Sequence, residues 1–347
     1  MDIFDIIICP YCGYKLSKKR KKSSLVCHNC QKEFVLENNI IHITTQNYYY
    51  GEIPREEMQR TIGKIEMGYK WREVVSSLNN EFLEFYAKDF RRSNWRYLLP
   101  FEGKGRIALD YGCGWGAIGY GLQLSGFKVI YMDLTYERIK FVSLRDKQEN
   151  IKGNIYIVGG DNKIPLADNS IDLIVMSGVL EWIPVTQKGD PYLIQLNALK
   201  NCYKILKKGG VFVLGIENRY AYRYFLGAPD DHSRLPYSSI MPRYIANIYS
   251  KLVKREEYRT YIYGYRALKD LFKKAGFKQV VINWVYPDFR KPMIVINLNN
   301  RECLNYYLNL LQTKEIKKYI RNQFLKITNK LDILKYIVYS YLLFAYK

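Results

Sequence analysis

From Arg106 to Asn299 short runs rich in β-branched and aromatic residues alternate with helical stretches, and that alternation restricts the chain to a largely parallel sheet covered by helices. Strands are expected at about 106–111, 128–133, 154–159, 171–177, 210–217, 279–285 and 292–298. The last two are separated only by the turn that begins at Tyr286-Pro287, too short for a parallel crossover, so the seventh strand is expected to run antiparallel. The expectation is an α/β, seven-stranded, doubly wound sheet with a small Cys-bearing unit before it and helices after it. A length of 347 residues predicts about two domains and a core that needs no disulfide staples. The expected divisions are 1–45, 46–105 (connector and helical lid), 106–300 (with 218–265 inserted as a cap) and 301–347.

Four of the seven cysteines form two CxxC pairs, Cys9-Pro-Tyr-Cys12 and Cys27-His-Asn-Cys30. Two such tight turns bring four thiolates around one tetrahedral ion, and Zn²⁺ supplies folding energy that a unit of this size lacks. Structural zinc on Cys9, Cys12, Cys27 and Cys30 is therefore expected, with a hairpin between the pairs and His28 outside the ligand set. Redox chemistry is the rival, but it ordinarily uses one pair beside a βαβ unit. The run Lys18-Lys19-Arg20-Lys21-Lys22 falls at the hairpin tip, as a solvated turn or a phosphate contact. An odd cysteine count, and first residues without a secretory pattern, point to a reducing, cytoplasmic setting.

The chemistry-bearing motif is Leu109-Asp110-Tyr111-Gly112-Cys113-Gly114-Trp115-Gly116, at the end of the first sheet strand and the start of a helix. Glycines belong where a Cβ would meet a ligand or the backbone, and the helix amino end offers unpaired N–H groups. Asp133, at the end of the second strand, is placed for ribose hydroxyls. A dinucleotide and S-adenosylmethionine both satisfy this much. Asp110 separates them, because a carboxylate there repels pyrophosphate and suits a cationic sulfonium and its amino group.

Together with Gly160-Asp161-Asn162, the run from Lys163 to Val175, and Lys207-Lys-Gly-Gly210 before the fifth strand, this sequence resembles the class I S-adenosylmethionine-dependent methyltransferases, type 11-like, over about residues 105–300. The resemblance implies a Rossmann-like methyltransferase sheet and an S-adenosyl-L-methionine site. Gly112, Cys113, Gly114 and Gly116 would lie along the methionine part, with Asp110 near its amino group. Asp133 and Leu134 would border the ribose, Asp161 and Asn162 the adenine, and Ser177 the end of the fourth strand. Asp172 reads instead as a turn organiser. Ser177-Gly-Val-Leu-Glu-Trp182-Ile departs from the family's frequent Leu-Glu-His-Ile, so no imidazole base is available at Trp182.

Only three histidines exist, and His42 sits in an apolar run typical of a packed strand. His232, in the stretch from Glu217-Asn-Arg-Tyr220 to Gly227-Ala-Pro-Asp-Asp-His232, is a candidate general base, with Glu217 as a second catalytic candidate. This stretch is similar to methyltransferases of surface-polysaccharide assembly, which implies a glycan or lipid-linked glycan acceptor. RNA is the opposing acceptor class, since a basic ribbon tip and an Arg/Tyr-rich cap suit phosphates and stacked bases. The absence of an Asn-Pro-Pro-Tyr-type segment after the fourth strand favours oxygen methylation. A non-catalytic cofactor-binding partner is the third reading.

The net charge of +21 is uneven: residues after Glu217 carry +15 of it, and 106–217 only +2. Codon composition shares responsibility, since Lys, Ile, Asn and Tyr are all plentiful. The tail reads as amphipathic helix, with Leu304, Tyr307, Leu308 and Leu311 and then Ile316, Ile320, Phe324 and Ile327 at helical spacing, continuing through the apolar run to Tyr346. It is expected to pack on its own domain or a partner, or to lie in an anionic membrane interface at the inner face of the membrane.

Overall fold

The computed structural model describes residues 3–19, 23–44, 46, 48–160, 163–311 and 315–347. Its chain divides into two compact units, residues 1–176, 200–212 and 347, and residues 177–199 and 213–346.

The first unit begins with four short strands, β1 (Leu16–Lys18), β2 (Ser24–Cys27), β3 (Glu33–Glu37) and β4 (Ile40–His42). β1 to β3 form an antiparallel meander, with Leu16 opposite Cys27, and a second hairpin turns β3 into β4. Ile40 and Ile41 are fully buried because β4 pairs in parallel with β7 (Ile155–Val158), His42 standing opposite Val158. Helices α1 (Arg55–Glu66), α2 (Trp71–Ser76) and α3 (Glu81–Lys88) lead to β5 (Ile107–Tyr111), α4 (Ala117–Gln123), β6 (Lys128–Asp133) and α5 (Tyr136–Gln148). β8 (Ile171–Ser177) and β9 (Leu206–Glu217) follow, and this unit's strand order is β1-β2-β3-β4-β7-β6-β5-β8-β9. From β4 to β8 every pairing is parallel.

Every residue of β5 is buried, as a strand covered on both faces requires. α4 reaches the sheet because its inner residues are small: a Cβ on Gly119 would lie 2.2 Å from the Tyr131 ring, and one on Gly121 would lie 2.1 Å from Ser93 Oγ. Asp172 behaves as the turn organiser that its position suggested. Its carboxylate accepts from the Ile107 amide (2.9 Å) and from Lys207 Nζ (2.8 Å), tying together the starts of three strands.

In the second unit the strand order is β9-β12-β10-β11, where β10 is Gln279–Asp288, β11 is Lys291–Asn297 and β12 is Ser340–Tyr346. All seven expected strands are present, and β11 runs antiparallel to β10. The tail is different from its expected helical course. Helices span Arg301–Leu310 and Ile316–Lys330, but Ser340–Tyr346 is a strand antiparallel to β10, from Gln279 opposite Tyr346 to Trp284 opposite Tyr341. A short, wholly apolar run has no periodicity to separate strand from helix; here Tyr341 to Ala345 are buried on both faces, and an open ladder beside β10 decides it. The helical stripe also faces outward in part. Leu304 and Leu308 are buried, whereas Ile316, Ile320, Phe324 and Ile327 are exposed and Leu325 and Thr328 turn inward. Among the described residues no helix is long and apolar enough to cross a membrane.

Candidate active site

β5 ends at Tyr111, whose hydroxyl donates to the Gly160 carbonyl (2.6 Å), and the amides of Gly112 and Cys113 donate to the Met132 carbonyl (2.7 and 3.1 Å). These bonds fold the glycine turn over the end of β6. Gly114 has φ +54°, its amide donates to Asp133 Oδ2 (2.9 Å), and a Cβ there would face open space with no atom within 4 Å. Gly116, at φ +76°, is needed for packing instead, since its Cβ would stand 2.7 Å from Val142 Cγ2. Asp133 Oδ1 accepts from the Thr135 amide (2.9 Å). Asp110 is 2% exposed, accepts from the Gly119 amide (2.9 Å), and burial pushes its carboxyl up to about 7. Cys113 is buried, its thiol raised by desolvation, and Leu134 lies beside Gly160. Seven candidate residues thus converge in the first unit. Asp161 and Asn162 lie outside the described residues, and Ser177 ends β8 in the second unit.

Several residues that shape this turn carry no sequence signal. Glu52 accepts from Trp115 Nε1 (2.8 Å) and Arg138 Nη2 (2.7 Å); burial opposes its ionisation, but Arg138 holds it below the usual carboxylate range. Arg138 also stands 3.7 Å from Asp133. Arg145, fully buried, donates to the carbonyls of Trp115 (3.3 Å) and Gly116 (3.0 Å), to the Tyr131 hydroxyl (3.0 Å) and to Asp146 (2.8 Å). Asp146 in turn accepts from Asn154 (2.7 Å) and Tyr156 (2.9 Å). Position 145 is one turn-facing site of an otherwise ordinary helix, and only the fold shows where it points.

The second unit gathers the two catalytic candidates. His232 Nε2 lies 3.6 Å from Glu217 Oε2 and 3.4 Å from Glu181 Oε1, with Asp230 Oδ1 3.9 Å from Nδ1. Burial favours the neutral ring, but the surrounding carboxylates outweigh it and raise His232 to about 9; burial raises Glu217 to about 7. Arg290, from the β10–β11 turn, donates to Glu217 Oε1, while Phe289 beside it packs against Gly215. Trp182 meets the His232 ring edge-on at 5.2 Å. The His232 ring thus packs against the side chain at position 182.

Three of the cap arginines are committed internally and do not add to a cationic surface, although Arg234 and Arg255 stay exposed. Arg219 donates to the Ser239 and Met241 carbonyls, Arg259 to those of Pro184, Gln187 and Gly189, and Arg243 to that of Ile262 while covering the Tyr261 ring. Within this unit they act as staples between loops.

The cysteines form two matching turns. In each, the residue after the second cysteine, Gly13 or Gln31, has positive φ and its amide bonds back to the first cysteine's carbonyl at 2.9 Å. All four sulfurs lie within 4.8 Å of one another, and the close approaches run between the pairs, Cys9 to Cys30 at 3.6 Å and Cys12 to Cys27 at 3.4 Å. His28 turns away to Ser17 Oγ (2.7 Å). Arg20, Lys21 and Lys22 of the basic run lie outside the described residues.

Residues 109–214 match the family model for a methyltransferase domain. The chain is 28% identical over 232 residues to O-methyltransferase 3 of Dictyostelium discoideum (59% of this chain, 48% of that protein), and 30% identical over 122 residues to the ubiquinone biosynthesis O-methyltransferase of Psychrobacter cryohalolentis (35% and 44%). It therefore spans about half the length of these curated relatives. Among solved structures it is similar to Haemonchus contortus phosphoethanolamine N-methyltransferase 2 in complex with S-adenosyl-L-methionine, at TM-score 0.46 and 13% identity, covering 83% of this chain and 60% of that one. The family match and the strand–glycine turn–helix geometry make residues 109–214 a class I S-adenosylmethionine-dependent methyltransferase domain.

Proposed function

We propose that the protein transfers a methyl group from S-adenosyl-L-methionine to an oxygen of a glycan or lipid-linked glycan. The observation that carries the cofactor reading is the turn at Gly114, open on its Cα side and fastened to a buried Asp133 whose carboxylate keeps lone pairs for ribose hydroxyls. The sulfonium supplies an activated methyl carbon; the acceptor oxygen forms the new bond, the sulfur keeps the electrons of the old one, and the acceptor loses a proton. The chain's share is alignment and proton removal, with proximity the largest contribution. We assign Asp133 and Leu134 to the ribose, Gly112, Cys113, Gly114, Gly116 and Asp110 to the methionine end, Asp161 and Asn162 to the adenine, and Ser177 to the cofactor's border. His232 and Glu217 are assigned to the acceptor.

Oxygen as the acceptor atom is supported by the two relatives named as O-methyltransferases and by the absence of an Asn-Pro-Pro-Tyr segment after β8. A cytoplasmic protein held peripherally at an anionic inner membrane face fits the exposed stripe of Ile316, Ile320, Phe324 and Ile327, which Lys318, Arg321, Lys326 and Lys330 accompany on the same helix. The internal commitments of Arg219, Arg243 and Arg259 weigh against RNA. Incubation with labelled cofactor and a cell extract, then separated into RNA, protein, lipid-linked glycan and small molecules, is expected to label the glycan fraction. Label in RNA reverses the acceptor class, and binding without label anywhere indicates a non-catalytic partner.

For the four cysteines the reading is structural Zn²⁺, supported by the paired turns and by sulfur approaches that run between pairs, unlike a redox CxxC. Metal analysis should find one zinc equivalent that Cys27→Ser/Cys30→Ser loses together with the ordered β1–β2 hairpin. Retention of the hairpin without metal contradicts a structural ion.

A further inference from the structure

We propose that Glu181, Glu217 and His232 form a second metal site, holding one divalent transition cation in the second unit. Their ligand atoms all lie within 4.8 Å of one another. His232 Nε2 stands 3.4 Å from Glu181 Oε1 and 3.6 Å from Glu217 Oε2, longer than the roughly 2.7–3.2 Å of a well-formed N–H···O bond, so the ring is paired with each carboxylate only loosely. Ligands roughly 2.1 Å from a common ion stand about 3.0–3.4 Å apart, so the two distances from Nε2 are already close to those of a shared cation.

Unpartnered atoms make the independent case. Glu181 and Glu217 side chains are each 1% exposed, and Glu181 Oε2 and Glu217 Oε2 have no hydrogen-bond partner among the described residues. Glu217 is half satisfied, since Arg290 takes Oε1 and leaves Oε2 on the side of the ring. Arg290 and a protonated His232 ring balance the two buried carboxylates in the metal-free protein, and a divalent cation held by the neutral imidazole takes the place of that proton. Behind the ring, Asp230 Oδ1 stands 3.9 Å from Nδ1 while accepting from the amides of His232 (3.0 Å) and Ser233 (2.6 Å). At 3.9 Å this is a charge contact and not a hydrogen bond, and Nδ1 has no hydrogen-bond partner among the described residues. The neighbouring Asp231 offers a contrast, because its carboxylate is taken up by Tyr224 (2.6 Å), Tyr339 (3.3 Å) and Arg223 (3.4 Å).

Two carboxylate oxygens and one imidazole nitrogen suit Mn²⁺, Fe²⁺, Co²⁺ or Zn²⁺ better than the soft ions favoured by four thiolates. Three protein ligands leave positions for an oxygen of a bound molecule. That this oxygen belongs to the methyl acceptor, whose proton the ion would loosen, rests on the methyl-transfer reading; the site itself does not.

The test is Mn²⁺ titration of the full zinc-loaded chain followed by electron paramagnetic resonance, since Mn²⁺ does not compete for thiolates. One Mn²⁺ per chain is expected, with ¹⁴N coupling from a single imidazole. Glu217→Gln and Glu181→Gln keep side-chain shape and should weaken binding at least tenfold. No binding up to about 1 mM Mn²⁺, binding without ¹⁴N coupling, or equal binding by both folded variants overturns the site; the coupling needs no variant and holds if neither folds. Calorimetry with S-adenosylhomocysteine on the same samples reads the cofactor site separately.

Discussion

Asp133→Ala and Gly114→Arg chains should bind S-adenosylhomocysteine at least a hundredfold more weakly than the parent in titration calorimetry. Asp133 holds the amides of Gly114 and Thr135, so its loss removes both the ribose acceptors and the anchor of the turn. Two charge-assisted hydrogen bonds at roughly 1.5–3 kcal/mol each account for that factor or more. Gly114→Arg reaches the same end differently. No atom lies within 4 Å of a Cβ there, so the protein itself bears only left-handed backbone strain of about 1–2 kcal/mol, while the side chain fills the cradle. Both variants should therefore remain folded by circular dichroism. Unchanged affinity in either, or a parent chain that prefers a nicotinamide dinucleotide, would sink the cofactor assignment.

What the sequence made legible and what it hid have physical causes. The strands from Ile107 to Ser177 were readable because buried parallel strands are short, continuous apolar runs set between helical stretches. The glycine turn was readable because its conformation leaves few residue choices, and the cysteine turns because metal geometry fixes spacing. Arg145 was not readable, since nothing local marks a charged helix residue as one that turns inward. The same holds for Glu52, which reaches Trp115 across sixty-three positions of sequence. Net charge misled about the cap for a related reason: composition counts Arg219, Arg243 and Arg259 as surface cations, whereas each is spent on backbone carbonyls. Ser340–Tyr346 was misread because its apolar run gains strand structure from β10, which is sixty residues earlier in the chain.

Arg145→Met should lower the melting temperature of the full chain by on the order of 10 °C, the largest stability loss expected of a single change outside the cysteine centre. Arg145 and Asp146 are both fully buried, and their groups are satisfied by Trp115, Gly116, Tyr131, Asn154 and Tyr156. Methionine fills the space but strands Asp146 as an uncompensated buried charge and frees two carbonyls of the glycine turn. Breaking one side of such a pair costs about 3–5 kcal/mol, and a unit of this size loses roughly 2–4 °C per kcal/mol. Arg145→Met/Asp146→Asn should recover part of the loss, because the stranded charge is gone while the amide still meets Tyr156. The freed Trp115 and Gly116 carbonyls remain in the double variant, so its cofactor affinity should stay below that of the parent even where its stability returns. A single variant that melts within about 2 °C of the parent would show that the buried pair neither holds the first unit together nor sets the turn on which Gly114 depends.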